Sequence, residues 1–231
     1  VDIADGDHPK VVSKIKTGHL VGAMVDGIPA VGGSSPNSMV ATDKFVFVSN
    51  ATNDNISVIS IEKDTVVNTI YLKPDDRVKQ FRGVIPFGLA LSPDQKRLYV
   101  AESGINAVAV INVANLKVMG HIPTGWFPSK IEVSRNGEKL IIANAKGFGS
   151  GPNGGKNFKK GPEGSYIGSL MKGTVQVVDI PNDKQLREMT NKVVDNNFKF
   201  HKSTDKIFEK RKNNPIPLYP GEKESPIKHI V

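Results

Sequence analysis

The chain has 231 residues, a net charge of +8 and no cysteine, with 38% hydrophobic and 6% aromatic residues. The length allows a sizeable core in one or two domains, and the lack of cysteine excludes disulfides and thiolate metal sites. No run of about 18 apolar residues occurs, so we expect no membrane-spanning helix. We also expect no signal peptide, because Val1-Asp2-Ile3 is typical of a strand interior rather than of a charged leader.

Positive charge is concentrated in two segments, residues 146–173 and 191–231, and each has a net charge of +4. Basic segments of this kind can bind nucleic acid or anionic lipid. Neither segment has the interleaved aromatic residues of a groove that binds single-stranded nucleic acid. The sequence therefore favours a solvated loop and a solvated linker, and we expect no nucleic-acid partner.

The same sequence pattern occurs three times. Pro36, Pro86 and Pro128 each open an apolar stretch, which leads into a Lys- or Arg-led strand and then into an alternating strand. The equivalent residues Val100 and Ile142 are 42 positions apart. A period near 40 residues made of short strands is typical of propeller blades. We therefore predict an all-β fold, a partial β-propeller of four-stranded antiparallel blades with a C-terminal helix and an extended linker.

The first element predicted along the chain is half a blade. Val1-Asp2-Ile3 matches the end of a third strand, and residues 11–18 match a fourth strand. Two complete blades and one blade without a fourth strand follow. Their predicted strands are 38–41, 45–49, 56–61 and 66–72, then 87–91, 97–101, 107–113 and 117–122, then 129–133, 139–143 and 174–180. The strands of each blade are lettered a to d from the inner strand outwards.

A helix is predicted after the last strand. Asp183 can cap it, and Leu186, Met189, Val193 and Val194 share one face. A closed propeller needs at least about four blades, so this chain cannot close a ring by itself. We expect the remaining blades to come from the same, longer polypeptide or from another chain.

Long connections mark one face of the predicted propeller, because the d–a and b–c connections of every blade lie on the same face. Three of these connections are long, at residues 19–35, 73–85 and 146–173. Connections longer than about 12–15 residues are usually functional or disordered. We therefore predict that the loop-bearing face is a docking or binding face.

Several residues of these connections are candidates for binding. They are Trp126 and Phe127 in a d–a loop, Glu102 and Asn106 in a b–c loop, and Lys156, Lys159 and Lys160 in the longest connection. An exposed tryptophan in such a position often anchors an interface. The alternative is that Trp126 covers the core between two blades.

No catalytic or metal-binding residue is predicted in this chain. No two of the five histidines have the spacing of zinc ligands, and His121, in a predicted strand d, is expected to be an edge residue. Residues 149–154 fit G-x-G-x-x-G by letter, but a proline and a glycine- and lysine-rich tract follow where a helix should begin. Dinucleotide binding is therefore not predicted.

Part of the repeat resembles the bacterial YVTN-type β-propeller repeats. The residues that carry the resemblance are Arg97-Leu98-Tyr99-Val100-Ala101, Ala107-Val108-Ala109-Val110-Ile111-Asn112 and His121-Ile122-Pro123-Thr124-Gly125. The resemblance covers roughly residues 1–181 and implies the fold. Such propellers serve as binding modules, as scaffolds and, in some relatives, as lactonases, so the fold alone does not decide the function.

The C-terminal part resembles exported bacterial proteins that join such a propeller to a phosphoesterase domain, similar to alkaline phosphatases and phospholipases C. The residues involved are Gly147-Phe148-Gly149-Ser150-Gly151-Pro152-Asn153, Tyr166-Ile167-Gly168, Lys172-Gly173-Thr174, Asn214-Pro215-Ile216-Pro217 and Ser225-Pro226-Ile227-Lys228-His229-Ile230-Val231. In that family the strand leads into a Glu-Asn-Arg motif that begins the metal site, and this sequence stops at Val231, before it.

The resemblance implies three segments: a partial propeller over 1–181, a helix and basic linker over 182–224, and the first strand of a phosphoesterase domain over 225–231. It also implies an exported protein, either periplasmic, outer-membrane-associated or secreted. The divalent metal would belong to the absent domain, so no cofactor is expected in this chain.

Three functions remain open from the sequence. The first is a binding or scaffold module of a phosphoesterase-like protein, with the remaining blades and the phosphoesterase domain as partners. The second is a protein–protein interaction module of an envelope assembly. The third is a lactonase-like propeller enzyme, which would need acidic or histidine residues converging around the axis.

Overall fold

The computed structural model describes residues 6–8, 10–78, 80–147, 149, 171–198, 200 and 227. The chain divides into one unit of residues 1–197 and a second unit of residues 198–231. In the second unit, the rings of Phe198 and Phe200 stack with their centroids 5.9 Å apart. All the strands and the long helix that the structure describes belong to the first unit.

Three antiparallel sheets form the first unit, together with a short hairpin. The hairpin pairs β1 (Met24–Val25) with β2 (Ile28–Pro29) and lies inside the long connection 19–35. Blade 1 consists of β3 (Pro36–Ala41), β4 (Phe45–Asn50), β5 (Asn55–Ser60) and β6 (Thr65–Tyr71). Blade 2 consists of β7 (Pro86–Leu91), β8 (Arg97–Glu102), β9 (Ala107–Asn112) and β10 (Lys117–Pro123). Blade 3 consists of β11 (Trp126–Val133), β12 (Lys139–Gly147) and β13 (Thr174–Asp179).

Each blade is a meander, because its strands are hydrogen-bonded in chain order and adjacent strands are antiparallel. The inner strands β3, β7 and β11 pack side by side, so the sheets stack face to face around a common axis. One apolar core lies between blades 1 and 2, and a second lies between blades 2 and 3. The chain is therefore a partial β-propeller, and the prediction of the fold class is confirmed.

Helix α1 (Asp183–Asn197) follows β13 and returns to the outer strand of blade 2. Leu186 contributes to the core between blades 2 and 3, and Val193 contributes to the core between blades 1 and 2. The Thr190 hydroxyl accepts a hydrogen bond of 2.8 Å from the His121 amide of β10. Gly120 leaves room for the helix, because a Cβ there would lie 2.5 Å from Thr190 Oγ1. The helix thus covers the outer edge of β10, whose unpaired N–H and C=O groups would otherwise be exposed to water.

The observed strands agree with the predicted ones within a few residues, but two predictions are wrong. Residues 11–18 do not form a strand, and Lys10 alone makes an isolated bridge. A fourth strand needs a third strand beside it, and no described residue supplies that strand. Trp126 and Phe127 begin β11 instead of lying in a loop, because the β11–β12 pairing continues past two bulges to Gly147. Val1-Asp2-Ile3 lies outside the described residues.

Gly88 in the inner strand of blade 2 gives a direct test of the stacking. A Cβ at Gly88 would lie 2.6 Å from the Ser129 carbonyl oxygen and 2.9 Å from Lys130 Cα, both backbone atoms of β11. We expect Gly88→Ala to lower the free energy of unfolding by about 1–3 kcal/mol, because the two inner strands must separate. Urea unfolding measures the loss. Gly6→Ala is the matched control, since a Cβ at Gly6 meets nothing within 4 Å. Equal stability of the two variants would contradict the stacking.

Candidate functional site

Strand a of every blade begins with the same backbone conformation. Ser35, Ile85 and Phe127 each precede a proline and have φ angles of 47°, 54° and 57°. A residue other than glycine seldom adopts the left-handed region, and a bulky or β-branched side chain does so at a cost of about 1–3 kcal/mol. The surrounding structure must therefore hold these residues in place.

At Ile85 and Phe127, hydrogen bonds to a side chain in the b–c loop of the preceding blade fix the backbone conformation. Asp54 of blade 1 accepts hydrogen bonds from the amides of Gly83 and Ile85, at 2.8 and 2.9 Å. Asn106 occupies the equivalent position in blade 2, and its Oδ1 accepts a hydrogen bond of 2.9 Å from the Phe127 amide. The structure thus brings together Asn106 and Phe127, two of the predicted binding residues, and Asn106 fixes the backbone at Phe127.

An aromatic and cationic cluster forms around Phe127 on the loop-bearing face. The Phe127 ring meets the Phe87 ring edge to face, with centroids 6.0 Å apart. The Lys146 ammonium lies 4.9 Å from the Phe127 ring centroid, a distance at which a cation is attracted to an aromatic face. Trp126 is 46% exposed, with Gly149 beside its ring. We refer to Phe87, Trp126, Phe127 and Lys146 as the aromatic–lysine cluster.

The structure places the other predicted residues differently. Glu102 is fully buried and does not reach the solvent-exposed part of this face. Lys156, Lys159 and Lys160 lie outside the described residues. Lys146, which was not among the predicted binding residues, belongs to the cluster. Its signal was weak, because a single lysine at the end of a strand is normally a solvated residue.

Glu102 forms a buried ion pair with His121. The two side chains are 0% and 2% exposed, and Glu102 Oε2 lies 2.8 Å from His121 Nδ1. The prediction that His121 is an edge residue is wrong: its strand is at the edge of blade 2, but its side chain turns inward toward blade 1. The small side chains of Ala107 and Ala109, on the strand between them, leave room for the pair to meet.

The pair also binds the preceding blade. Burial alone lowers the pKa of His121, but the Glu102 carboxylate and a hydrogen bond to the Lys73 backbone carbonyl raise it, and the net direction is upward. The contact with Lys73 joins blade 2 to the end of blade 1, because Lys73 follows the last strand of blade 1. Because neither side chain reaches solvent, we interpret the pair as a structural contact between blades rather than as catalytic groups.

Equivalent polar contacts join the other neighbouring segments. Ser57 Oγ accepts a hydrogen bond of 3.2 Å from the amide of Gly18, the residue that ends the segment before blade 1. Gln176 Oε1 accepts one of 3.0 Å from the amide of Gly125, at the end of blade 2. Lys73 is the equivalent of these glycines at the end of blade 1. Each blade thus uses a polar side chain to bind the main chain that leaves the preceding segment, and we call these contacts the junction bonds.

Two cavities lie away from the cluster. One of about 760 Å³ opens between the outer strands of blades 1 and 2 and helix α1, and its lining includes Lys73, Asp75 and His121. The Arg77 guanidinium, hydrogen-bonded to both carboxylate oxygens, lowers the pKa of Asp75 to about 2. The other, of about 430 Å³, lies on the opposite face between the a–b turns of blades 2 and 3. Within the described ranges, no three His, Asp or Glu side chains are grouped closely enough to hold a metal ion.

The comparisons with known proteins identify similar folds but no family. No family model matches the chain, and no curated protein matches it. The match to hydrazine synthase of Kuenenia stuttgartiensis covers 70% of this chain and 49% of the synthase chain, with 17% identity and a TM-score of 0.47. The match to a Bacteroides fragilis protein that is described as a 6-phosphogluconolactonase covers 66% of this chain and 40% of that protein, with 19% identity and a TM-score of 0.43. The match to a Bacteroides uniformis protein with the same description covers 51% of this chain and 38% of that protein, with 15% identity and a TM-score of 0.41.

The chain spans half or less of the length of these three solved structures. At these identities and scores the likeness assigns no activity. In the described part of the chain, no helix is both long enough and apolar enough to cross a membrane.

The buried pair predicts how stability depends on pH. His121 has a higher pKa in the folded chain than the value of about 6.5 in an unfolded one. Its protonated ring therefore stabilises the fold fully below about pH 6.5, and this stabilisation is lost as the pH rises through the folded-state pKa. We expect the free energy of unfolding to fall over that window, with a slope of at most about 1.4 kcal/mol per pH unit for one proton.

Urea unfolding between pH 5 and 9 measures the slope. A double variant, Glu102→Gln with His121→Gln, removes both charges without leaving one of them buried alone, and it should lose the slope. His8→Gln changes an exposed histidine and should keep it. A slope that survives in the double variant would show that another group is responsible.

Proposed function

We propose that this chain is a binding and scaffold module that recognises a partner through the aromatic–lysine cluster on its loop-bearing face. The observation that carries the proposal is the combination at Trp126 and Phe127. Trp126 is 46% exposed, whereas the backbone beside it is held in an unfavourable left-handed conformation by Asn106. Strain of this kind persists at sites where the surrounding structure maintains a particular geometry.

The chemistry of the cluster suits a protein surface. Tryptophan gives a large contact area with little loss of side-chain entropy, and it is frequent among the residues that dominate binding energies. Lys146 adds a positive charge beside the rings, so a partner with a carboxylate or phosphate close to an apolar patch would satisfy both parts.

The partner that we propose is a phosphoesterase domain of the same polypeptide, in an exported bacterial protein. The resemblance of residues 147–153 and 214–217 to such proteins supports this proposal. The divalent metal and the catalytic residues would belong to that domain. The lysines at 156, 159 and 160 would raise the local concentration of an anionic substrate.

Replacement of Trp126 by alanine tests the binding face. We expect Trp126→Ala to weaken binding between residues 1–224 and a separately expressed phosphoesterase domain that starts at residue 225 by about 30-fold, which corresponds to about 2 kcal/mol for an anchor residue. Isothermal titration calorimetry measures the affinity. Ile61→Ala is the control, since Ile61 is 45% exposed and lies at the c–d turn on the opposite face.

Fluorescence supplies a second readout, because Trp126 is the only tryptophan of the chain. Its emission should shift to shorter wavelength when the domain binds and the ring leaves water. Equal affinities of wild type and Trp126→Ala would refute the proposed binding face. Tight binding with no phosphatase activity in the intact protein would instead favour the interaction module of an envelope assembly.

Neutralisation of the three lysines tests the electrostatic part separately. We expect the triple variant Lys156→Gln, Lys159→Gln and Lys160→Gln to reduce kcat/KM of the intact phosphoesterase for a phosphomonoester at low ionic strength. The reduction should shrink as salt screens the charges, since the Debye length is about 10 Å at 0.1 M. Lys44→Gln is the control, because Lys44 lies in the a–b turn of blade 1, on the face opposite the long connections. Unchanged turnover at low salt would rule out steering by these lysines.

A further inference from the structure

The cavity of about 430 Å³ lies where blades 2 and 3 pack on each other, on the face opposite the long connections. Its walls come from the a–b turns of the two blades, and Ile180, which follows β13, also lines it. The two turns approach closely, since a Cβ at Gly137 would lie 3.6 Å from Pro93 Cδ. The volume is within the range of about 300–1,000 Å³ that is usual for small-molecule sites.

Tyr99 lines this cavity with a hydroxyl that lacks a partner. The side chain is 1% exposed, and its hydroxyl makes no hydrogen bond with any described residue. Such a group is unusual, because most buried polar groups are hydrogen-bonded and an unpaired one destabilises the fold. Burial raises the pKa of Tyr99, so the hydroxyl keeps its proton near neutral pH and is available as a donor.

The fold itself does not require a hydroxyl at this position. Phe47 of blade 1 is equivalent to Tyr99, because each lies three residues before the residue that pairs with the first proline of strand a. Phe45 is likewise equivalent to Arg97, and the rings of Phe45 and Phe47 meet edge to face with centroids 6.4 Å apart. Two apolar rings thus occupy the position in blade 1 that a guanidinium and a phenol occupy in blade 2. The polar pair indicates a polar ligand.

Arg97 is a second donor at the cavity. Its guanidinium is close enough to Tyr99 to oppose the rise of the tyrosine pKa, but it makes no hydrogen bond with the hydroxyl. Arg97 Nη2 lies 3.9 Å from Asp183 Oδ1, which is too far for a hydrogen bond, and the Asp183 side chain is 72% exposed. An ion pair of that length at the surface is weak, so the guanidinium can bind another acceptor.

The other charged side chains that line the cavity are paired with each other. Asp94 Oδ1 accepts hydrogen bonds from the Ser92 hydroxyl at 2.6 Å and from the Lys96 amide at 3.1 Å. The Lys96 ammonium lies 3.7 Å from Asp94 Oδ2. Because Asp94 and Lys96 neutralise each other, Arg97 gives the cavity a net positive charge.

We propose that this cavity binds a small molecule through an oxyanion group, a carboxylate or a phosphate, which accepts hydrogen bonds from Arg97 and from the Tyr99 hydroxyl. A planar guanidinium matches the two oxygens of such a group. The Arg97 side chain is 31% exposed, so it can turn toward the ligand as the oxyanion reaches the hydroxyl. Pro93 and Ile180 provide apolar walls, which favour an apolar body on the ligand. The proposal is independent of the aromatic–lysine cluster.

Titration of the full 231-residue chain with benzoate and with phenyl phosphate tests the proposal. Nuclear magnetic resonance should show saturable shifts of the Arg97 and Gly137 amide signals when the ionic strength is held constant with sodium chloride. Benzoate carries a carboxylate and phenyl phosphate a phosphate, so the tighter of the two identifies the preferred oxyanion. Absence of saturable binding for both probes would overturn the proposal.

Four variants locate the binding. Tyr99→Phe introduces the residue of blade 1, and Arg97→Gln removes the charge, and each should weaken binding of the tighter probe about tenfold. Tyr71→Phe removes a hydroxyl outside the cavity, and Arg135→Gln removes a charge from the neighbouring turn. Both should bind like wild type. Wild-type affinity in Tyr99→Phe, or an equal loss in Arg135→Gln and Arg97→Gln, would show only general attraction of anions and would overturn the proposal.

Thermal unfolding separates a contact with the ligand from a structural role. Without a probe, Tyr99→Phe should be at least as stable as wild type, because the variant removes an unpaired buried hydroxyl. A saturating concentration of the tighter probe should raise the Tm of wild type more than that of Tyr99→Phe. If Tyr99→Phe were less stable without a probe and equally stabilised by it, the hydroxyl would have a structural role and the proposal would be wrong.

Discussion

The junction bonds are the interactions on which the arrangement of the blades depends. Apolar side chains between two sheets favour contact but do not fix how the sheets slide against each other. A polar side chain that binds one backbone group of the preceding segment sets that position, as Ser57 does at Gly18 and Gln176 does at Gly125. The desolvated amide would cost about 1–3 kcal/mol if it were left without a partner. Each junction bond therefore selects one relative position of two blades.

Blade 2 obtains the same contact from a different strand. The position on strand c that holds Ser57 and Gln176 in the other blades holds Ala109 here, and His121 on strand d reaches across it to the Lys73 carbonyl. Glu102, whose Oε2 lies 2.8 Å from His121 Nδ1, is the counter-ion that the buried ring needs when it is protonated. Because His121 on strand d takes the place of a polar residue on strand c, this junction contains a buried ion pair.

The fold could be predicted from the sequence because its signals are local. Alternating apolar residues, the turn residues between them and the proline at each strand a give the strands, and the one-sided apolar pattern after Asp183 gives the helix. The predicted cap at Asp183 is wrong, because Asn182 Oδ1 accepts the hydrogen bond from the Gln185 amide and Asp183 is the first residue of the helix itself. The roles of His121 and Glu102 could not be predicted, since 19 residues separate them and only the register of strands b, c and d brings them together. The same limit applies to Lys146, which meets Phe127 only because the β11–β12 pairing extends to Gly147.

Helix α1 has a consequence for how the molecule opens. It covers the outer edge of blade 2 only, and that blade also has a sheet packed on each of its faces. Blades 1 and 3 each have one face without a complete neighbouring sheet among the described residues. Among the three described blades, exchange of amide hydrogens with solvent should therefore be slowest in blade 2, which is the last of the three to lose its structure.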